Sequence, residues 1–363
     1  MAELSERMRA LVQPHLAGIE PYDPNFTPTR INLSANENTY PLPEGVREAI
    51  DAALAETPLN RYPDPMSNEL RAELAARHGV DPACICVGNG GDELLFNFLL
   101  AFGGDGRTLL NCPPCFSEYE FFASLTKTGV RNVWRDRKTF AIDEKRMLDA
   151  ARDADVVIIT SPNNPTGDVA QPGFIAQLCR TCPGLVMVDE AYIEFADAGT
   201  SVQNLLAACP NLVILHTLSK AFGEAGIRCG YVIAAPDIID VFGAVRQIYS
   251  VNVLTQAAAL AAVRMRDAFA PVVEQIRSER ERVAMALEAY DWVDVWPSQG
   301  NFLLMHVREA SSIREQLRDD YSILVRDFSA APGLNDCLRI TIGTPEENDA
   351  LLEALAELLD DDA

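Results

Sequence analysis

Three stretches decide the fold: ADVVIITSPNNPTG at 154–167, GLVMVDEAY at 184–192 and NLVILHTLSK at 211–220. Each is a short run of β-branched and aliphatic residues that ends in polar ones. Nothing polar interrupts VVII or LVMV, so such strands suit a parallel sheet covered on both faces. Between them lie FIAQLCRTC (174–182) and SVQNLLAAC (201–209), both of helical period. Strand and helix alternating in this way predict βα crossovers and an α/β fold.

The same rhythm extends upstream. NELRAELAARHG (68–79) is helical, CICVG (84–88) a strand, DELLFNFLLAFG (92–103) helical and TLLNCP (108–113) a strand. A helix over EYEFFASLTKTG (118–129) and strand-like VRNVWR (130–135) follow. After about residue 270 the pattern changes. A long helix over 271–290 leads to short strands in NFLLMHV (301–307), ILVRD (323–327) and CLRITIG (337–343), and a helix over 346–359 closes the chain. Residues 20–66 are rich in Pro, Asn and Tyr and read as an arm, since each proline disfavours helix before it. The division expected is an arm at 1–45 on the small domain, a large domain at 46–270 and a small α+β domain at 271–363.

The chain has 363 residues, 48% of them apolar, enough for a large core without disulfide staples. Its net charge of −23 repels nucleic acid and anionic lipid, so neither is an expected partner. No run approaches the roughly 18 apolar residues of a spanning helix, and the first fifteen residues lack the apolar core of a signal peptide. Nine cysteines, two pairs of them spaced CxxC (Cys112/Cys115 and Cys179/Cys182), lie in apolar surroundings. They read as reduced and structural, and place the protein in the cytoplasm. The four histidines are scattered, and no metal site is expected. Gly88–Gly91 is glycine-rich after a strand but lacks the third glycine of a dinucleotide fingerprint and the Lys-Ser/Thr of a P-loop.

What remains is a set of polar residues at strand ends, where open α/β sheets bind ligands. Gly91, Asp92 and Glu93 open a helix, whose free N–H groups and dipole suit a phosphate. Asn164 ends the first run, Asp189 and Tyr192 the second, Ser219 and Lys220 the third, and Arg228 lies eight residues on. Each alone has an ordinary structural reading: NPTG is a good turn, Asp189 a helix cap, Glu93 a first-turn acid. Their joint order and spacing do not.

GNGGDE (88–93), SPNNPTG (161–167), VDEAY (188–192) and TLSKAFGEAGIRCGY (217–231) resemble the motifs of fold-type-I, pyridoxal-phosphate-dependent aminotransferases. LSANENTYP (33–41), NRYPD (60–64), VRD (325–327) and CLRITIGTPEEN (337–348) are similar to those of the histidinol-phosphate aminotransferase group. The resemblance implies a seven-stranded, mostly parallel sheet in the large domain and pyridoxal 5'-phosphate held covalently by Lys220, which also moves the reacting proton. It implies that Asp189 keeps the pyridine nitrogen protonated and that Tyr192 and Asn164 bond the ring oxygen. The phosphate falls to Gly91, Asp92, Ser219 and Arg228, with Glu93 nearby. Phe116 stacks on the ring where the group usually has Tyr. Tyr62 implies a homodimer in which one subunit reaches the cofactor phosphate of the other. Tyr22, Asn36, Arg326 and Arg339 are the implied substrate-binding residues, Arg339 as a bidentate partner for carboxylate and phosphate alike. The implied partners are a small amino donor and a 2-oxo acid, first of all L-histidinol phosphate and 2-oxoglutarate. An aromatic amino-acid aminotransferase, a lyase such as threonine-phosphate decarboxylase, and a non-catalytic regulator of the same fold are the alternatives.

Overall fold

The computed structural model describes residues 5–18 and 27–360. Among the described residues twelve strands run β1 (Ile31–Leu33), β2 (Ile85–Gly88), β3 (Thr108–Asn111), β4 (Gly129–Asn132), β5 (Val156–Thr160), β6 (Leu185–Asp189), β7 (Leu212–Thr217), β8 (Gly230–Ile233), β9 (Asp294–Val295), β10 (Phe302–His306), β11 (Ile323–Asp327) and β12 (Cys337–Thr341). Seven form one sheet in the order β2-β8-β7-β6-β5-β3-β4. Its pairs from β7 to β4 are parallel, whereas β8 runs against both its neighbours. The mostly parallel α/β architecture expected from the sequence is the one observed.

Apart from the exposed edge strand β4, both faces of this sheet are dry, which explains the uninterrupted apolar runs. Along β5, Val156 and Ile158 pack in the cluster that holds Leu94, Phe98 and Tyr119. Val157 and Ile159 face the opposite cluster, with Phe174, Ile175 and Leu178. In β6, Met187 joins the first cluster and Val186 and Val188 the second. The period of two therefore carries Asp189, at the carboxyl end of β6, onto the Met187 face, beneath the helix Glu118–Leu125.

The other five strands form a sheet ordered β1-β11-β12-β10-β9. The arm contributes β1, which pairs in parallel with β11 through Leu33↔Val325. The helix Ala270–Leu287 leads into this second sheet, and the helix Pro345–Asp360 follows it.

One expected helix is absent. Residues 201–209 contain a single 3-10 turn, Gln203–Leu205. The Val202 N–H and Ser201 hydroxyl donate to the buried Glu190 carboxylate, and Gln203 Nε2 donates to the His78 carbonyl. Tertiary partners thus take the groups that would start a helix.

Gly184 sits where the chain enters β6. A Cβ there would lie 1.7 Å from the Asp155 carbonyl oxygen, a backbone atom that cannot rotate away. Gly184→Ala is expected to destabilise the protein by about 1–3 kcal/mol through forced backbone displacement. Urea unfolding checks this; an unchanged midpoint contradicts the packing described.

Candidate active site

The polar strand ends converge at the carboxyl edge of the large sheet. Asp189 is buried, and its two oxygens are bonded separately. Oδ1 accepts from the Ala191 N–H at 3.1 Å and Oδ2 from the Tyr119 hydroxyl at 2.7 Å. Burial pushes the carboxyl up to about 6, against the stabilisation that these two donors give its anion. Asp189 also stands opposite Thr160 in the β5–β6 register.

Lys220 follows β7. Its Nζ donates to the Ala35 carbonyl at 3.0 Å and lies 5.8 Å from the Tyr192 ring centroid. Burial pushes the ammonium down to about 8, with Arg339 and Arg228 adding to the shift and Glu37 and Asp92 opposing it. Close to neutral pH the amine is thus a usable nucleophile and base, which an exposed lysine is not. The Tyr192 hydroxyl accepts from Asn36 Nδ2 at 3.1 Å, and burial holds its phenol above the ordinary range.

Arg339 lies mid-strand in β12 and is buried. One Nη donates to Asn164 Oδ1 at 2.6 Å, the other to the Ser34 carbonyl. Its guanidinium also sits 5.5 Å from the Phe328 ring centroid and 5.8 Å from that of Phe302. Arg326 is its cross-strand partner from β11, with its guanidinium 6.0 Å from the Phe328 ring. The neighbouring Asp327 takes hydrogen bonds from Ser311 and the Ser329 N–H.

A cradle lies beside these groups at the start of the helix Gly90–Phe102. Gly90 has φ +82°, and a Cβ on it would lie 2.5 Å from an Arg228 nitrogen, so the glycine lets the guanidinium lie against the first turn. Arg228 donates to Asp92 at 3.0 Å and approaches Ser219 Oγ at 3.5 Å. Glu93 reaches back to accept from the Asn89 N–H, which is a helix cap. Phe116 packs edge-on against Tyr119 at 5.6 Å. An anion cradle, a buried carboxylate and a desolvated amine on one sheet edge fit pyridoxal phosphate.

The chain belongs to the class I and II aminotransferase family. The family model matches residues 28–355. Histidinol-phosphate aminotransferase 1 of Carboxydothermus hydrogenoformans is 38% identical over 344 residues, 94% of this chain and 97% of its own length. A histidinol-phosphate aminotransferase from Sinorhizobium meliloti, solved with pyridoxal-5'-phosphate, superposes with a TM-score of 0.89 at 26% identity over the whole of both chains. L-threonine-O-3-phosphate decarboxylase from Porphyromonas gingivalis gives 0.78 at 27% identity, over 91% of this chain and 99% of its own.

Among the implied site residues, Lys220, Asp189, Tyr192, Asn164, Arg339 and Asn36 share a network or a near contact, and Arg228 meets Asp92 and Ser219 beside the first helical turn that carries Gly91. Tyr62 stands apart at 80% exposed, stacked on Tyr249 at 4.5 Å. Tyr22 lies outside the described residues. Sequence reasoning missed Tyr119 and Thr160, and also Thr341 and Asn301, which hold Asn36.

Glu224, between Lys220 and Arg228, is buried, and neither carboxylate oxygen has a hydrogen-bond partner among the described residues. Burial pushes its carboxyl up to about 8. The folded chain therefore keeps a proton that the unfolded chain releases above its ordinary 4.5, and stability falls as pH rises through that window. Glu224→Gln removes the slope: its Tm relative to the parent is expected to climb from pH 5 to pH 8. Parallel Tm profiles contradict the buried, unpartnered carboxyl.

Proposed function

We propose that this aminotransferase moves the amino group of L-histidinol phosphate to 2-oxoglutarate, forming imidazole acetol phosphate and L-glutamate in histidine biosynthesis. The near full-length match to relatives bearing that name, at 38% identity for the Carboxydothermus protein, carries the substrate. Pyridoxal phosphate, when bound, supplies an aldehyde for the amino group and a ring that accepts the electrons released at substrate Cα. Lys220 Nζ would take the proton from Cα of the amino donor and would give one to Cα of the acceptor when the amino group passes to the 2-oxo acid, so no proton is consumed overall. Asp189 would keep a proton on the ring nitrogen. Tyr192 and Asn164 would bond the ring oxygen, Phe116 would stack on the ring, and Ser219, Arg228 and the amides of Gly91 and Asp92 would hold the phosphate, with Glu93 capping the helix there.

Arg339 receives the carboxylate of one substrate and the phosphate of the other, since its planar fork pairs with either. Arg326 assists on the phosphate. Residues 46–270 act as the cofactor-binding unit, and 1–45 with 271–363 as the substrate-covering one. The nine cysteines, all free, suit a reducing cytoplasm. Among the described residues no helix is long and apolar enough to cross a membrane.

The active unit in this reading is a homodimer. Leu59, Tyr62, Met66, Ile248, Tyr249 and Leu254 are exposed and concentrate on two segments joined by the Tyr62–Tyr249 stack and by a hydrogen bond from Gln256 to the Asp64 carbonyl. So much clustered apolar surface calls for a partner, and a second copy would bring its Tyr62 to the site. A chain that sediments as a monomer at assay concentration contradicts this.

A donor screen tests the substrate. kcat/KM is expected to be highest for histidinol phosphate, and Arg326→Ala is expected to lower it about tenfold more for that donor than for phenylalanine. Equal losses move the assignment to an aromatic aminotransferase. Carbon dioxide released without consumption of 2-oxoglutarate marks a decarboxylase instead.

A further inference from the structure

Tyr119 is buried with its hydroxyl 2.7 Å from Asp189 Oδ2 and 2.7 Å from Thr160 Oγ1. A phenol has one proton to give. An ionised carboxylate can only accept, so that proton goes to Asp189, and Thr160, which has a proton of its own, donates to the phenol oxygen. The result is a directed chain from Thr160 through Tyr119 to Asp189. The sheet makes this arrangement unavoidable: Thr160 and Asp189 are register partners at the ends of β5 and β6, on the face that the helix Glu118–Leu125 covers. The helix is short, and Tyr119 in its first turn comes down over the pair.

We propose that Tyr119 is a positioning residue for transamination: its hydroxyl, polarised by Thr160, holds Asp189 as an anion and fixes which oxygen lone pair remains for the cofactor ring. The inference rests on the reading of Asp189 as the partner of that ring. With Oδ1 engaged by the Ala191 N–H and Oδ2 by Tyr119, the carboxylate plane is set before any ligand arrives. Without the hydroxyl, a carboxylate in so dry a setting keeps a single donor, and its proton becomes harder to remove. The other ionisable groups that act on Asp189 and Tyr119 are Lys220 beyond β7, Asp92 on the helix Gly90–Phe102, Glu190 and Tyr192 beyond β6, and Cys115. Of these only Lys220 favours the anion of Asp189, so Tyr119 is the donor whose loss nothing replaces.

The test is Tyr119→Phe, which keeps the ring and removes the hydroxyl. In the loaded enzyme, the acid limb of the kcat/KM profile is expected to move up by about one to two pH units while the alkaline limb stays. In the cofactor-free full chain, the protonated-carboxyl infrared band of Asp189, isolated by difference from Asp189→Asn, is expected to appear at correspondingly higher pH. Thr160→Val is expected to give a smaller shift in the same direction and serves if Tyr119→Phe does not fold. In the Asp189→Asn background, Tyr119→Phe is expected to add no further shift. Unchanged acid limb and infrared midpoint in a folded Tyr119→Phe protein overturn the proposal. If Tyr119→Phe moves the infrared midpoint but Asp189→Asn leaves the rate intact, Tyr119 holds Asp189 as described and it is the ring-partner role of Asp189 that fails.

Discussion

A half-desolvated ammonium, Lys220, has to be kept near a buried carboxylate, Asp189, at the open edge of an otherwise apolar sheet. Neither charge is tolerated there without dedicated partners. Asp189 is met by a backbone amide and a phenol, and Lys220 by the Ala35 carbonyl. Burial moves the two groups toward each other on the pH scale, the acid up to about 6 and the amine down to about 8. At neutral pH the carboxyl is still mostly an anion, while a usable fraction of the amine is already free of its proton, as a base needs.

Three consecutive residues of the arm supply much of the remaining satisfaction. The Ser34 carbonyl accepts from Arg339, the Ala35 carbonyl from Lys220, and the Asn36 amide donates to Tyr192. Asn36 itself is buried with φ 53° and bonded to Thr341 and Asn301. One turn of chain thereby connects a strand of the small sheet with loops of the large one. Displacing it would leave Arg339, Lys220 and Tyr192 short of partners together, so the arm and the site are one cooperative unit.

Much of this was legible in the chain. Asp189 and Lys220 end runs whose apolar character leaves no doubt about strand and direction, and Arg339 interrupts an apolar strand where a charge needs a purpose. Local pattern carries no further than that. Tyr119 sits in EYEFF, where an aromatic reads as core, and its partners lie 41 and 70 residues away. β8 is four residues long and directly follows the loop that carries Arg228, so its strand signal is masked by the motif beside it. The helix expected over 201–209 gives way to bonds with Glu190 and His78 that only the folded chain brings near.

In the proposed function Lys220 is the covalent anchor of the cofactor. The chain has only four lysines, and Lys127, Lys138 and Lys145 are exposed on the surface. Borohydride reduction of the protein loaded with pyridoxal phosphate, followed by peptide mapping, reads the anchor directly. The account predicts one pyridoxyl group per chain, on Lys220, and none in Lys220→Ala. A label on any of the other three lysines, or undiminished labelling of Lys220→Ala, contradicts it.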